Sequence, residues 1–454
     1  MSTRSKFKNI FLNLGLLTSA IFFHGQTNAQ SYIGYTMDNY AGVHSVIYNP
    51  ANVFDSPFRS DINLVSASGY LGSDYLGLSI SDILSGDGEF HFDQETERSP
   101  SNTNHFFTNI DVLGPSLMFN VGDQQSIAIT TRLRGLFNAD NVNGNLYEHV
   151  SDGFEIGDNF DFDSRNLNIT AHVFSEIGLT YGREIMKTQD QFLKAGVSLK
   201  YLMGAGGLFA NSPELSGSFN GVSNNLTTQG SFSYGTTPGF ESDSPDFSDL
   251  QNGFGADIGL VYEYRKRIVD GTVLGKRAQQ YKFKAALAIT DIGSINYKNS
   301  TQTVYDANGN VNGLEFETKD LKEVLEDNYI GTSTTRVQKL QLPTALQIMV
   351  DYYIGNRFYV GLHQGLSLRK SGSANANGII NTTTLAPRWE SKWFSAYSPI
   401  GIRQYSGFAW GFGLRLGPLT VGSGSVLSNM ISDNSKNTDI YVGLKIPLYK
   451  NIAY

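Results

Sequence analysis

Across Gln191–Met203 the side chains alternate between two faces. Leu193, Ala195, Val197, Leu199, Tyr201 and Met203 fall on one face, and Lys194, Gly196, Ser198 and Lys200 on the other. A period of two is the signature of a β-strand with one apolar and one polar side. At about ten residues such a strand is long enough to cross a bilayer at a tilt. Strands are likewise expected at Asp61–Gly69, Phe106–Val121, Ser126–Phe137, Asn166–Arg183, Gly253–Arg265 and Gln280–Ile289. A chain built from many such strands must either stack two sheets or close one sheet into a barrel.

The N-terminus decides where those strands go. Arg4, Lys6 and Lys8 precede the uncharged run Ile10–Phe23, and Thr27-Asn28-Ala29 supplies small residues. This is a secretory signal with cleavage expected after Ala29. Its loss leaves 31 of 34 Lys+Arg against 42 Asp+Glu, a net charge of −11. No basic patch dense enough for nucleic acid appears. Cysteine is absent, which excludes disulfides and thiolate chemistry. Beyond the signal no apolar run reaches 18 residues, so no spanning helix is expected.

The full reading is all-β: a transmembrane antiparallel barrel of about 14 strands. Residues 1–29 are the signal, 30–59 an N-terminal plug or hatch, and 60–454 the barrel. The later strands are expected at Leu340–Ile354, Arg357–Lys370, Ala386–Ala396, Pro399–Tyr405, Phe408–Leu416, Leu419–Val426 and Asp439–Leu448. Tight turns at Gly122–Gln124, Gly355-Asn356 and Gly417-Pro418 fall at one end, and long loops at 70–105, 138–165, 205–251 and 299–338 at the other. Outer-membrane barrels sort their connections in this way, with short turns in the periplasm. One helix, Lys319–Asp327, is expected within the last long loop.

The triplet Asn49-Pro50-Ala51, behind a signal and before the first strand, resembles the FadL-type long-chain fatty acid transporters. The resemblance implies a fourteen-stranded barrel with the triplet in an N-terminal hatch. The same region is similar to the PorV-like accessory barrels of Bacteroidota, which implies a docking role for secreted or surface proteins. The Ala386–Trp393 and Ile440–Leu448 segments look like those of an uncharacterised Bacteroidota barrel family.

Three sets of candidate residues follow. Asn49, Pro50 and Ala51 form the hatch motif. If Ile127 and Leu199 face lipid, then Arg132, Arg134, Lys194, Lys200, His363 and Arg369 face the lumen. There they either hold an anionic headgroup or pair with carboxylates such as Asp257 and Glu263. Tyr441, Gly443, Ile446 and Leu448 resemble the terminal signal read by the barrel-assembly machinery. No Ser–His or metal-ligand spacing is present, so no enzyme, cofactor or metal is expected. The expected partners are outer-membrane lipid, the assembly machinery, and a hydrophobic small molecule or a secreted protein. The expected state is a monomer in the cell outer membrane.

Overall fold

The computed structural model describes residues 27–28, 31–78, 96–154, 157–240, 250–265, 281–370 and 372–450. The expected signal and its cleavage point lie almost wholly outside them.

Fourteen antiparallel strands close a ring. In chain order they are β1 (Phe58–Ser73), β2 (Asn104–Leu113 with Ser116–Asn120), β3 (Gln125–Val142), β4 (Leu167–Lys187), β5 (Gln191–Ser212), β6 (Gln251–Tyr264) and β7 (Phe283–Asp306). The second half is β8 (Ala345–Gly355), β9 (Phe358–Ser367), β10 (Asn381–Glu390), β11 (Phe394–Tyr397 with Ile400–Arg403), β12 (Gly407–Trp410 with Phe412–Leu416), β13 (Leu419–Ser423) and β14 (Asn437–Tyr449). Each pairs with its chain neighbours, and β14 pairs back onto β1 from Phe58↔Tyr449 to Gly72↔Asn437. Closure removes the open edges that an antiparallel sheet otherwise carries.

The two faces follow the alternation. On β5, Leu199 is 63 % exposed while Lys200 is 5 % exposed. Ile110, Leu133, Leu179, Ile258 and Val442 likewise point out. The outside is therefore an apolar belt and the inside is polar, the arrangement a membrane barrel requires. No helix among the described residues is long and apolar enough to cross a membrane.

Three expectations need correction. The turn between β10 and β11 lies at 391–393, not near 397, so the expected strands Ala386–Ala396 and Pro399–Tyr405 were cut in the wrong place. Asn381-Thr-Thr-Thr is polar and hid the start of β10, while Ser398-Pro399 only interrupts β11. Second, the expected loop 205–251 is largely strand over residues 205–236, and 241–249 lie outside the described residues. β5 runs on to Ser212, and Leu215–Asn220 and Asn225–Thr236 are strands. Third, 299–338 holds the upper part of β7 and the strand Ile330–Gln341, with the helix at Leu321–Asn328 as expected. Ile330–Gln341 is exposed along most of its length, and the strands Leu215–Asn220 and Asn225–Thr236 are rich in Gly, Ser, Thr and Asn, so no apolar–polar alternation marks them. Asn225–Thr236 sits above β6 between β5 and β7, and Ile330–Gln341 continues the line of β8.

Residues 31–57 lie inside the ring. They form short turns of helix at Tyr35–Met37, Val43–Val46 and Pro50–Val53, nearly all buried. The wall grips them from many sides. Asp61 of β1 accepts from the Val43 amide, and Lys194 of β5 donates to the Phe54 carbonyl. Glu390 of β10 accepts from the Asn39 side-chain amide, Arg415 of β12 donates to Asp38, and Lys445 of β14 donates to the Tyr40 carbonyl.

Candidate functional site

The Asn49-Pro50-Ala51 triplet is locally determined. The Asn49 side-chain oxygen accepts from the Ala51 amide at 3.0 Å, capping the short helix that Pro50 opens. The same amide group donates to the wall carbonyls of Leu260 and Leu287, at 3.1 and 3.2 Å. The triplet rests on three glycines that stand in register across three strands: Gly182 on β4, Gly196 on β5 and Gly259 on β6. A Cβ on Gly196 would sit 2.3 Å from the Pro50 carbonyl carbon, and one on Gly259 would sit 2.1 Å from Asn49 Oδ1. The row is a groove made by the absence of side chains. Replacing Asn49 with aspartate keeps the cap oxygen, removes both donors and sets a carboxylate against two carbonyls. The expected cost is about 1–3 kcal/mol, read as faster proteolysis of residues 31–57 in detergent. Unchanged proteolysis would show that these bonds do not hold the triplet.

The next layer, toward the long-loop end, is ionic. Arg132 binds Asp111 bidentately and reaches Glu176 at 3.1 Å. Arg134 meets Asp291 at 2.8 Å, and Lys200 lies 2.8 Å from Asp291 and 2.9 Å from Asp257. Seven buried charges thus link β2 through β7, and the Arg134–Asp291 pair spans from β3 to β7. Of the other predicted cations, Lys194 is spent on the Phe54 carbonyl. His363 lies edge-on to Tyr48 of the inner segment. Arg369 sits at the long-loop end and donates to the Leu342 carbonyl and the Thr344 hydroxyl. The structure brings Arg132, Arg134 and Lys200 together and leaves the other three apart. Glu263 pairs with Arg265 at the short-turn end.

Beyond the charges the lumen turns apolar. Leu136, Phe174, Leu202, Phe209, Ile295, Tyr297, Leu340 and Leu342 form one buried cluster. His172 bonds the Tyr297 hydroxyl at its edge. The wall behind this cluster is irregular. Register breaks fall at Gly204/Gly206 in β5, Ala256/Ile258 in β6 and Tyr297/Ser300 in β7. Here β6 gives way to Asn225–Thr236, and a cavity of about 810 Å³ opens beside Thr237, Pro238, Asn252 and Asn299. Above the cluster the segment 372–380 folds inward. Asn377 is fully buried and donates to Asn138 and to the Thr170 carbonyl. The alternation did not reveal the cluster, because inward apolar residues read as breaks in it.

At the chain's end Tyr441 and Gly443 face the lumen, and Ile446 and Leu448 face out.

Residues 50–424 match the model of a family described as "Family of unknown function (DUF5723)". The chain belongs to that family. No curated protein matches this DUF5723 chain. Among solved structures it is similar to the P. putida toluene transporter TodX, at 9 % identity and a TM-score of 0.46, over 91 % of this chain and 95 % of that one. It is similar to a Pseudomonas aeruginosa FadL homologue at 9 % identity and 0.44, over 93 % and 99 %. It is similar also to the Ralstonia pickettii toluene transporter TbuX at 8 % and 0.41, over 90 % and 94 %. At these scores the likeness carries no inference about function.

Proposed function

We propose that the chain is an outer-membrane barrel that takes up hydrophobic small molecules, with residues 31–57 as its plug. The apolar cluster around Leu202, set directly behind the irregular wall, carries this reading. A water-filled pore has a polar interior. Here the lumen is apolar above an ionic layer, and the wall beside it carries register breaks in β5, β6 and β7. A hydrophobic solute entering from the long-loop end would rest on the cluster. Its way out is sideways through the seam, because charge and plug lie below. Replacing Leu202 and Leu340 together with glutamine should cut uptake of labelled oleate and toluene by about tenfold, since each buried apolar side chain contributes roughly 1.5–3 kcal/mol. A variant that folds, shown by heat-modifiable migration, and takes up both probes at the wild-type rate would refute the transport reading.

A second reading has its own support. The strands above the belt enclose a small core of Phe154, Phe162, Phe219 and Leu226, away from the lumen. Such a platform suits docking of a secreted or surface protein, the PorV-like role. Exchange of Asn49-Pro50-Ala51 for Gly-Ser-Gly separates the two. A transporter changes its permeability, whereas a docking barrel keeps its partner.

A further inference from the structure

The short-turn end of the lumen opens into a cavity of about 530 Å³ below the plug. Six cations line it: Lys194, Arg265, Lys284, Arg357, Lys392 and Lys450. Each lining carboxylate already has a cation partner. Asp38 pairs with Arg415, Glu390 with Arg388, and Asp55 and Glu263 share Arg265. Lys194 and Lys284 are taken up by the plug, on the Phe54 carbonyl and Asn39. Arg357, Lys392 and Lys450 form no salt bridge with a described carboxylate. They stand on the turn after β8, the turn after β10 and the end of β14, on one arc of the rim. The opposite arc mixes both signs, with Asp123, Glu184 and Asp190 beside Arg183 and Lys187, and Lys187 there pairs with Glu184.

Two cations of the basic arc lie over aromatic rings. Arg357 lies over the Trp389 ring at 5.6 Å, and Lys392 lies over Tyr449 at 4.7 Å and Trp393 at 5.7 Å. Phe358 and Trp393, the next residues on those turns, are more than half exposed on the lipid side. Aromatic rings sit at headgroup depth in barrels, and a cation held over them can reach a phosphate. A soluble anion would use the cations alone. A phospholipid uses both the cations and the apolar residues beside them.

We propose that Arg357, Lys392 and Lys450 form a binding site for the phosphate headgroup of an anionic phospholipid at the short-turn mouth. Its acyl chains lie along Phe358 and Trp393. The inference stands apart from the transport reading, because the site neither uses the apolar cluster nor requires flux.

The test is native mass spectrometry of the full chain, stripped of lipid in detergent and offered equal phosphatidylglycerol and phosphatidylethanolamine. Wild type should retain phosphatidylglycerol about tenfold over phosphatidylethanolamine, and the Arg357→Gln/Lys392→Gln/Lys450→Gln variant should lose that preference. The Arg183→Gln/Lys187→Gln variant, on the opposite arc, should keep it. Both variants are checked for the folded gel band. Should the triple variant fail to fold, Lys392→Gln alone must still lower the preference several-fold. Equal retention by wild type, or an undiminished preference in the folded basic-arc variant, overturns the site. Competition by millimolar glycerol phosphate overturns the lipid assignment, since it shows that a free phosphate suffices.

Discussion

Valine at Gly196 will unseat the inner segment 31–57 and leave the barrel standing. Its Cβ would lie 2.3 Å from the Pro50 carbonyl carbon, 2.4 Å from the Pro50 oxygen and 2.5 Å from the Ala51 nitrogen. All three are backbone atoms, so no side chain can swing aside. The strand itself welcomes a β-branched residue. Overpacking costs about 1–3 kcal/mol in a core that can adjust, and more here because both sides are main chain. The inner segment is the weaker partner, held by scattered hydrogen bonds and the ion pairs of Asp38 and Asp55 rather than by a closed ladder. The chain has no cysteine, so one placed at Ser45 reports cleanly. Its labelling by a membrane-impermeant maleimide should quicken by about tenfold or more in the valine variant, the factor expected for roughly 1.4 kcal/mol. Gly69→Ala is the control, since nothing lies within 4 Å of its added Cβ. A folded Gly196→Val protein that labels as slowly as its parent would mean the triplet does not depend on the glycine row.

The alternation carried the architecture because a barrel repeats one rule on every strand: apolar out, polar in. The count of fourteen and the sorting of turns were therefore legible. Where the rule lapses, legibility lapses. Ile330–Gln341 is largely exposed and Asn225–Thr236 is mostly Gly, Ser, Thr, Asn and Gln, so both read as loop. Asn49-Pro50-Ala51 was visible because its chemistry is local: a side-chain cap, a fixed φ and a small residue. Its seat was not visible. Gly182, Gly196 and Gly259 are scattered along the chain, and only cross-strand register sets them side by side. The lumen cations show the same limit. The pattern places Arg134 inward, but its partner Asp291 is 157 residues away and reached across the lumen.

That ionic layer gives the second large effect. Lys200→Met should destabilise the barrel by about 3–5 kcal/mol, the usual consequence of removing one partner from a buried charge cluster. Lys200 Nζ is shared by Asp257 and Asp291, with Glu176 at 3.9 Å. Without it, four carboxylates face two arginines, and Asp257 is left with no cation. The Asp291 amide already donates to Asp257 at 2.7 Å, so the two acids cannot easily move apart. Adding Asp257→Asn should recover much of the loss, and the coupling between the two changes should exceed about 1 kcal/mol. Urea titration in lipid vesicles, followed by fluorescence of the three tryptophans, measures both. A Lys200→Met midpoint equal to wild type would show that the layer is solvated and not a sealed barrier. The two variants also divide the closure of the lumen between its parts. Gly196→Val removes the plug and spares the charges, whereas Lys200→Met weakens the charges and spares the plug's seat. If the plug is the seal, Ser45→Cys labelling rises only in the first, while stability falls further in the second.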